Sequence, residues 1–248
     1  MNPNYNNIVL QLKNLSVGYD SSKPVLENIN FSFSAGNLIG LVAKNGAGKS
    51  TLIKTICGAV PALDGSILID DKKINQINKN ELSKKIALVL TEKPKLSGFT
   101  VHELVSLGRH PHSGFFGKLN SADKKIISAS ISMCGIEKLE NKYCDELSDG
   151  EFQKVMLARA IAQDTPVIIL DEPTAFLDFP SKVNMMRLLK YLTETQNKCI
   201  IIASHDLDLL LNNSDQILIL KNRFNHSIYD SKSIDFEQLT NELINSKG

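Results

Sequence analysis

A continuous apolar run, Asn37–Ala43, passes without a break into Lys-Asn-Gly-Ala-Gly-Lys-Ser-Thr51, and helical sequence follows. A strand whose apolar residues run on with so little alternation is consistent with burial in a sheet. A glycine-rich turn leading from such a strand into a helix defines a strand–loop–helix unit. Gly46 and Gly48 let the backbone curl so that its N–H groups point inward, and the start of the helix adds partial positive charge. A phosphate group suits that concavity. Lys49 can reach the outer phosphates of a nucleoside triphosphate, and the Ser50 hydroxyl can meet Mg²⁺. Lys44, Asn45, Ala47 and Thr51 complete the loop, and Ala43 stands where the pattern GxxxxGK[ST] ordinarily has glycine.

A second strand, Val167-Ile-Ile-Leu170, ends in Asp171-Glu172-Pro173. Open α/β sheets bind ligands at the carboxyl ends of their strands, where this acidic pair falls. Asp171 is the candidate Mg²⁺ partner, and Glu172 is the candidate general base for an attacking water. A carboxylate after a strand can also simply cap a helix. The phosphate loop elsewhere in the same chain favours chemistry.

Leu147-Ser-Asp-Gly-Glu151 opens the strongly helical segment just before that strand. Ser148-x-x-Glu151 reads as a capping box, and it creates a second helix terminus able to face an anion. The loop, the aliphatic strand with its Asp-Glu end and the LSDGE helix together resemble the ABC ATPase family. The likeness runs from about Ile8 to Leu220. It implies an α/β P-loop NTPase cassette with a mainly parallel core sheet, an N-terminal antiparallel β subdomain and a helical subdomain. It also implies ATP hydrolysis with Mg²⁺, a homodimer that sandwiches ATP, integral-membrane permease subunits and, indirectly, a substrate-binding protein. Ser148, Asp149, Gly150 and Glu151 would then contact the γ-phosphate held by the other subunit. Tyr19 matches the aromatic that stacks on adenine, Asp178 lies in the loop that crosses between subunits, and His205 in Ser-His-Asp206 matches the switch histidine. There are two departures. Asp149 replaces a glycine, where it can serve the helix dipole. Where the family has a glutamine after a strand, this chain has Thr91 with Glu92 beside it, so either is a candidate Mg²⁺ ligand. Phe99–His112 is similar to TVxELVxLGRxPH, a stretch that recurs in importers of metal chelates: iron–siderophores, haem and vitamin B12.

Half-buried strand patterns occupy Ile8–Leu15 and Leu26–Phe33, with shorter runs at Gly65–Ile69 and Ile86–Leu90. Helical periodicity fills about 100–143, and Gly108–Gly117 is expected to split it into separate helices. Thereafter helices (Glu151–Ala162, Pro180–Thr195, Asp206–Leu211) alternate with strands (Val167–Leu170, Lys198–Ala203, Gln216–Leu220), the signature of a doubly wound sheet. One domain over 1–248 is expected. Its core covers about 8–98 and 144–222, a helical subdomain about 99–143, and a short tail 222–248.

The net charge is +1, and of 28 basic residues only Arg109, Arg159, Arg187 and Arg223 are arginines, which argues against a nucleic-acid partner. Cys57, Cys134, Cys144 and Cys199 form no CxxC pair and read as thiols of a reducing compartment. His110-Pro-His112 has only Glu103 as a further ligand in its segment, so no metal site is assigned there. Neither a signal peptide nor an apolar run approaching the ~20 residues of a spanning helix is evident. The resulting expectation is an ATPase at the cytoplasmic face of the cell membrane, held there by its permease. The rival readings are an importer ATPase for another substrate class and a soluble ABC ATPase of translation or DNA repair.

Overall fold

The computed structural model describes residues 8–44, 46–91, 98–113 and 117–244. The strands, in chain order, are β1 (Ile8–Val17), β2 (Leu26–Ser34), β3 (Leu38–Ala43), β4 (Asp64–Ile69), β5 (Lys72–Lys73), β6 (Ile86–Val89), β7 (Val167–Asp171), β8 (Cys199–Ala203), β9 (Gln216–Leu220) and β10 (His226–Asp230). The α-helices are α1 (Lys49–Ile56), α2 (Lys79–Ser83), α3 (Val101–Ser106), α4 (Ser121–Met133), α5 (Asp149–Ala162), α6 (Phe179–Gln196), α7 (Leu207–Asn213) and α8 (Phe236–Ile244).

Two sheets result. An antiparallel one runs β2-β1-β4-β5, and a second runs β10-β9-β3-β8-β7-β6. All pairings in the second are parallel except β9 with β10. Alternation along β3 and β8 explains why both are apolar throughout. Ile39, Leu41 and Ala43 of β3 and Cys199 and Ile201 of β8 pack toward the antiparallel sheet and α1. Leu38 and Val42, with Ile200 and Ile202, pack toward α5, α6 and α7. Both faces are covered, so neither can be polar.

Residues 99–144 leave the core and return through a narrow neck. There Thr100 bridges Tyr143, the Cys144 N–H donates to the Phe99 carbonyl at 2.9 Å, and the Val101 N–H donates to Lys142 at 3.0 Å. Beyond the neck, Val101, Leu104, Val105, Ile127 and Ile131 join one apolar core with Phe152, Val155 and Met156 of α5. The helices α3 and α4 therefore rest on α5 rather than forming a separate globule. Gly108–Gly117, expected to split this region into separate helices, does fall between α3 and α4, and Leu107–His112 forms a 3-10 turn directly after α3 with Pro111 inside. The tail is also more than an appendage: β10 extends the core sheet, and Leu239 of α8 is fully buried in the shared core.

Candidate active site

The carboxyl ends of four neighbouring strands, β3, β8, β7 and β6, open into one cleft of about 420 Å³. The phosphate loop follows β3, His205 follows β8, Asp171 and Glu172 end β7, and Thr91 follows β6. Lys44, Gly46, Gly48, Lys49, Ser50, Thr51, Thr91, Asp171, Glu172 and His205 line it, together with Val25, which sequence reasoning missed. Val25 comes from the β1–β2 loop, closed by a 2.8 Å bond from its N–H to the Val17 carbonyl, and the loop's Tyr19 is 69% exposed.

Loop conformation explains why alanine is tolerated at position 43. Left-handed φ occurs at Gly46 (79°) and Gly48 (92°), whereas Ala43 is an ordinary β3 residue paired with Leu220. A side chain at Gly48 would also meet Val25 at 2.6 Å. The Lys44 amine donates to the Ile244 carbonyl at 3.1 Å, so α8 touches the phosphate loop. Ala47 stands in the same turn, its N–H donating to the Lys44 carbonyl at 3.0 Å. Asn45 lies outside the described residues, as does Glu92.

Lys49 forms an ion pair with Glu172 inside the cleft, and its amine is 3.9 Å from Asp171 Oδ1. His205 Nε2 is 3.4 Å from Glu172 Oε1, and the His205 N–H donates to Oε2 at 3.3 Å. Glu172 itself has φ 50°, a left-handed backbone that costs a non-glycine residue roughly 1–3 kcal/mol. Asp171 Oδ2 lies 3.4 Å from the Ser50 hydroxyl, while the buried Oδ1 accepts no hydrogen bond among the described residues. Burial pushes the Asp171 carboxyl above its ordinary value; Lys49 opposes this and the neighbouring Glu172 adds to it. A buried, unsatisfied carboxylate oxygen beside a hydroxyl is an oxygen donor set that fits Mg²⁺. The Thr91 hydroxyl, named above as a possible ligand, donates at 2.8 Å to the Asp171 main-chain carbonyl.

Ser148–Glu151 do not line this cleft. Ser148 caps α5, its hydroxyl accepting from the Glu151 N–H at 3.3 Å while the Glu151 carboxylate accepts from the Ser148 N–H at 2.9 Å. The Ser148 hydroxyl and N–H hold the Glu151 carboxyl below its ordinary value. Asp149 occupies the exposed first turn, where the helix dipole favours a carboxylate. Gly150 is needed for close approach, because a Cβ there would lie 3.0 Å from the Phe176 carbonyl. The start of α5 thus abuts the 175–178 loop. Asp178 in that loop caps α6 by accepting from the Ser181 N–H at 3.0 Å.

A mainly parallel sheet carrying a lysine-bearing phosphate loop and facing carboxylates defines a P-loop nucleoside triphosphatase. The family model described as ABC transporter matches residues 26–175. An uncharacterized ABC transporter ATP-binding protein of Methanocaldococcus jannaschii is 38% identical over 239 residues, covering 96% of this chain and 82% of that protein. The chain belongs to the ATP-binding proteins of ABC transporters, an ATP-hydrolysing family. It is also similar to the iron(3+)-hydroxamate import ATP-binding protein FhuC of Bacillus subtilis, with 34% identity across 86% of this chain and 78% of that one. A dimeric structure of a bacterial ABC transporter cassette superposes with a TM-score of 0.79 at 26% identity, covering 90% of this chain and 98% of the other.

Proposed function

We propose that this chain hydrolyses ATP, with Mg²⁺, to power import of a metal chelate (an iron–siderophore, haem or cobalamin) through a partner membrane permease. The observation that carries the reading is the convergence of Lys49, Ser50, Asp171, Glu172 and His205 in one cleft at the ends of adjacent strands. Phosphoryl transfer needs positioning and charge stabilisation more than covalent help, and this group supplies both. Lys49, paired with Glu172 here, exchanges that carboxylate for the outer phosphate oxygens when a triphosphate enters. The freed Glu172 then polarises a water, which attacks the γ-phosphorus as the bond to the bridging oxygen breaks. The water's proton passes through Glu172 to the products. His205, within 3.4 Å of the same carboxylate, orients the γ-phosphate and the water. Ser50 and Asp171 would hold Mg²⁺, which supplies countercharge to the phosphates.

Because Ser148–Glu151 lie outside the cleft, one chain presents a phosphate loop on one surface and an anion-facing helix terminus on another. Two copies arranged head to tail pair each loop with the other's α5, with Asp178 and the 175–178 loop at the junction and Tyr19 stacked on adenine. The chelate assignment rests on Phe99–His112 and on the hydroxamate-import relative. On this reading the ATPase lies at the cytoplasmic face, attached to a permease that receives cargo from a substrate-binding protein.

The test is affinity capture from native membranes with ATP-loaded Glu172→Gln. That variant should bind ATP while turnover falls by roughly 10²–10⁴-fold. It should retain a polytopic permease and, through it, a protein that binds an iron chelate, haem or cobalamin. Turnover within about threefold of wild type would remove Glu172 from the base's role. Capture of ribosomes or DNA-repair proteins without a membrane partner would overturn the transport reading.

A further inference from the structure

The peptide unit joining Asp171 to Glu172 is held from both sides. β6 and β7 run parallel in register as far as Val89 and Leu170, and there the main-chain ladder ends. Thr91, just beyond, bonds instead through its side chain, donating to the Asp171 carbonyl oxygen at 2.8 Å. On the opposite flank the N–H of the same peptide, that of Glu172, donates to the Ala203 carbonyl of β8 at 2.9 Å. Immediately after this peptide the chain takes its left-handed turn at Glu172, φ 50°. Beyond that turn the carboxylate meets Lys49 and His205.

An unfavourable backbone conformation persists only where its surroundings over-determine it. One route to relaxing φ at Glu172 is to turn the 171–172 peptide plane, and that rotation breaks one or both of these bonds. Ala203 contributes through its main chain, so this bond draws on no side chain. Thr91 contributes through its side chain, and a hydroxyl has a single hydrogen to give. We propose that Thr91 is a positioning residue for Glu172: by fixing the Asp171 carbonyl it holds the left-handed turn that aims the carboxylate into the cleft. The inference rests on the reading of Glu172 as the base, and it assigns Thr91 a part other than that of Mg²⁺ ligand.

The experiment compares steady-state ATP hydrolysis by the full chain as wild type, Thr91→Val, Thr91→Ser and Glu172→Gln, with ATP and Mg²⁺ titrated separately. Valine keeps the shape and removes the donor; serine restores it. Losing one hydrogen bond that orients a catalytic group should lower kcat of the valine variant by about fivefold to thirtyfold. Its KM for ATP and its Mg²⁺ half-saturation should stay within about twofold of wild type, and the serine variant should recover most of kcat. If the valine variant does not fold, Thr91→Cys, with its weak donor, should fall between serine and wild type on one side and Glu172→Gln on the other. Two results would overturn the proposal: undiminished kcat in the valine variant while Glu172→Gln is inactive, or a kcat restored by excess Mg²⁺, which would make Thr91 a metal ligand. If Glu172→Gln itself kept its turnover, the base assignment would fail first, and the positioning role with it.

Discussion

Replacing Arg109 by leucine should destabilise the fold by about 3–5 kcal/mol, the usual cost of stranding one partner of a buried ion pair. Arg109 is only 6% exposed and Asp123 3%. The Arg109 Nε donates to Asp123 Oδ1 at 2.9 Å, and Nη1 donates to the Ala162 carbonyl in the last turn of α5, also at 2.9 Å. Leucine fills the volume but takes the guanidinium away from the Asp123 carboxylate, which keeps the Asn120 N–H. It also leaves a helix-end carbonyl without its donor. In a chain of this length each kcal/mol moves the melting temperature by about 2–4 °C, so a fall of roughly 6–20 °C is expected. Calorimetry should record it, with urea unfolding as a check that m is unchanged. The double variant Arg109→Leu/Asp123→Leu strands no charge and should lie within about 2 kcal/mol of wild type. Neither residue lines the cleft, so turnover measured well below the transition should stay within about threefold of wild type. A single variant melting within about 2 °C of wild type would refute the reasoning. So would a double variant no better than the single.

Acid should weaken the same joint. The Asp123 carboxyl is held below its ordinary value of 3.8, chiefly by the Asn120 N–H and then by Arg109. Its folded value is depressed, so its stabilisation is complete above 3.8 and is lost as pH falls through the lower, folded value. An acid melt of Asp123→Asn should therefore be flatter than wild type in that range. Burial pushes the thiols of Cys57, Cys134 and Cys199 up to about 12; iodoacetamide at pH 8 should label the fully buried Cys199 only on unfolding and the half-buried Cys57 and Cys134 slowly, as mass spectrometry would show. Tyr19→Ala should raise KM for ATP by about threefold to tenfold with kcat little changed, if Tyr19 stacks on adenine; an unchanged KM would remove it from the site.

The chemistry-bearing stretches were legible because each packs its information locally. The loop 43–51 follows one apolar strand, 171–172 ends another, and Ser148–Glu151 carries its own cap. What was not legible depends on elements that meet only through the fold. The Ala203 carbonyl that braces Glu172 is main chain and has no sequence signal. Val25 reaches the cleft because the β1–β2 loop folds over Gly48, and only glycine there, with no Cβ to strike Val25, hints at it. β10, five residues long and half-exposed, shows no alternation strong enough to announce a strand; β9 supplies its order. Phe99–His112, read as similar to a stretch of chelate importers, carries two ties to the C-terminal end of α5: Arg109 to Ala162, and His112 Nε2 at 2.8 Å from the carbonyl of the C-cap residue Gln163.

Lys44 and Ile244 are 200 positions apart, yet the amine of one rests on the carbonyl of the other. The main chain of α8 is thereby bonded by a cation of the loop proposed to receive a polyanion. Coupling free energies are reciprocal. Whatever draws the Lys44 amine toward a phosphate loosens α8 by some amount, and whatever lifts α8 away returns that same amount to the phosphate's affinity. The last described helix is, in this sense, a competing ligand that the protein carries with it.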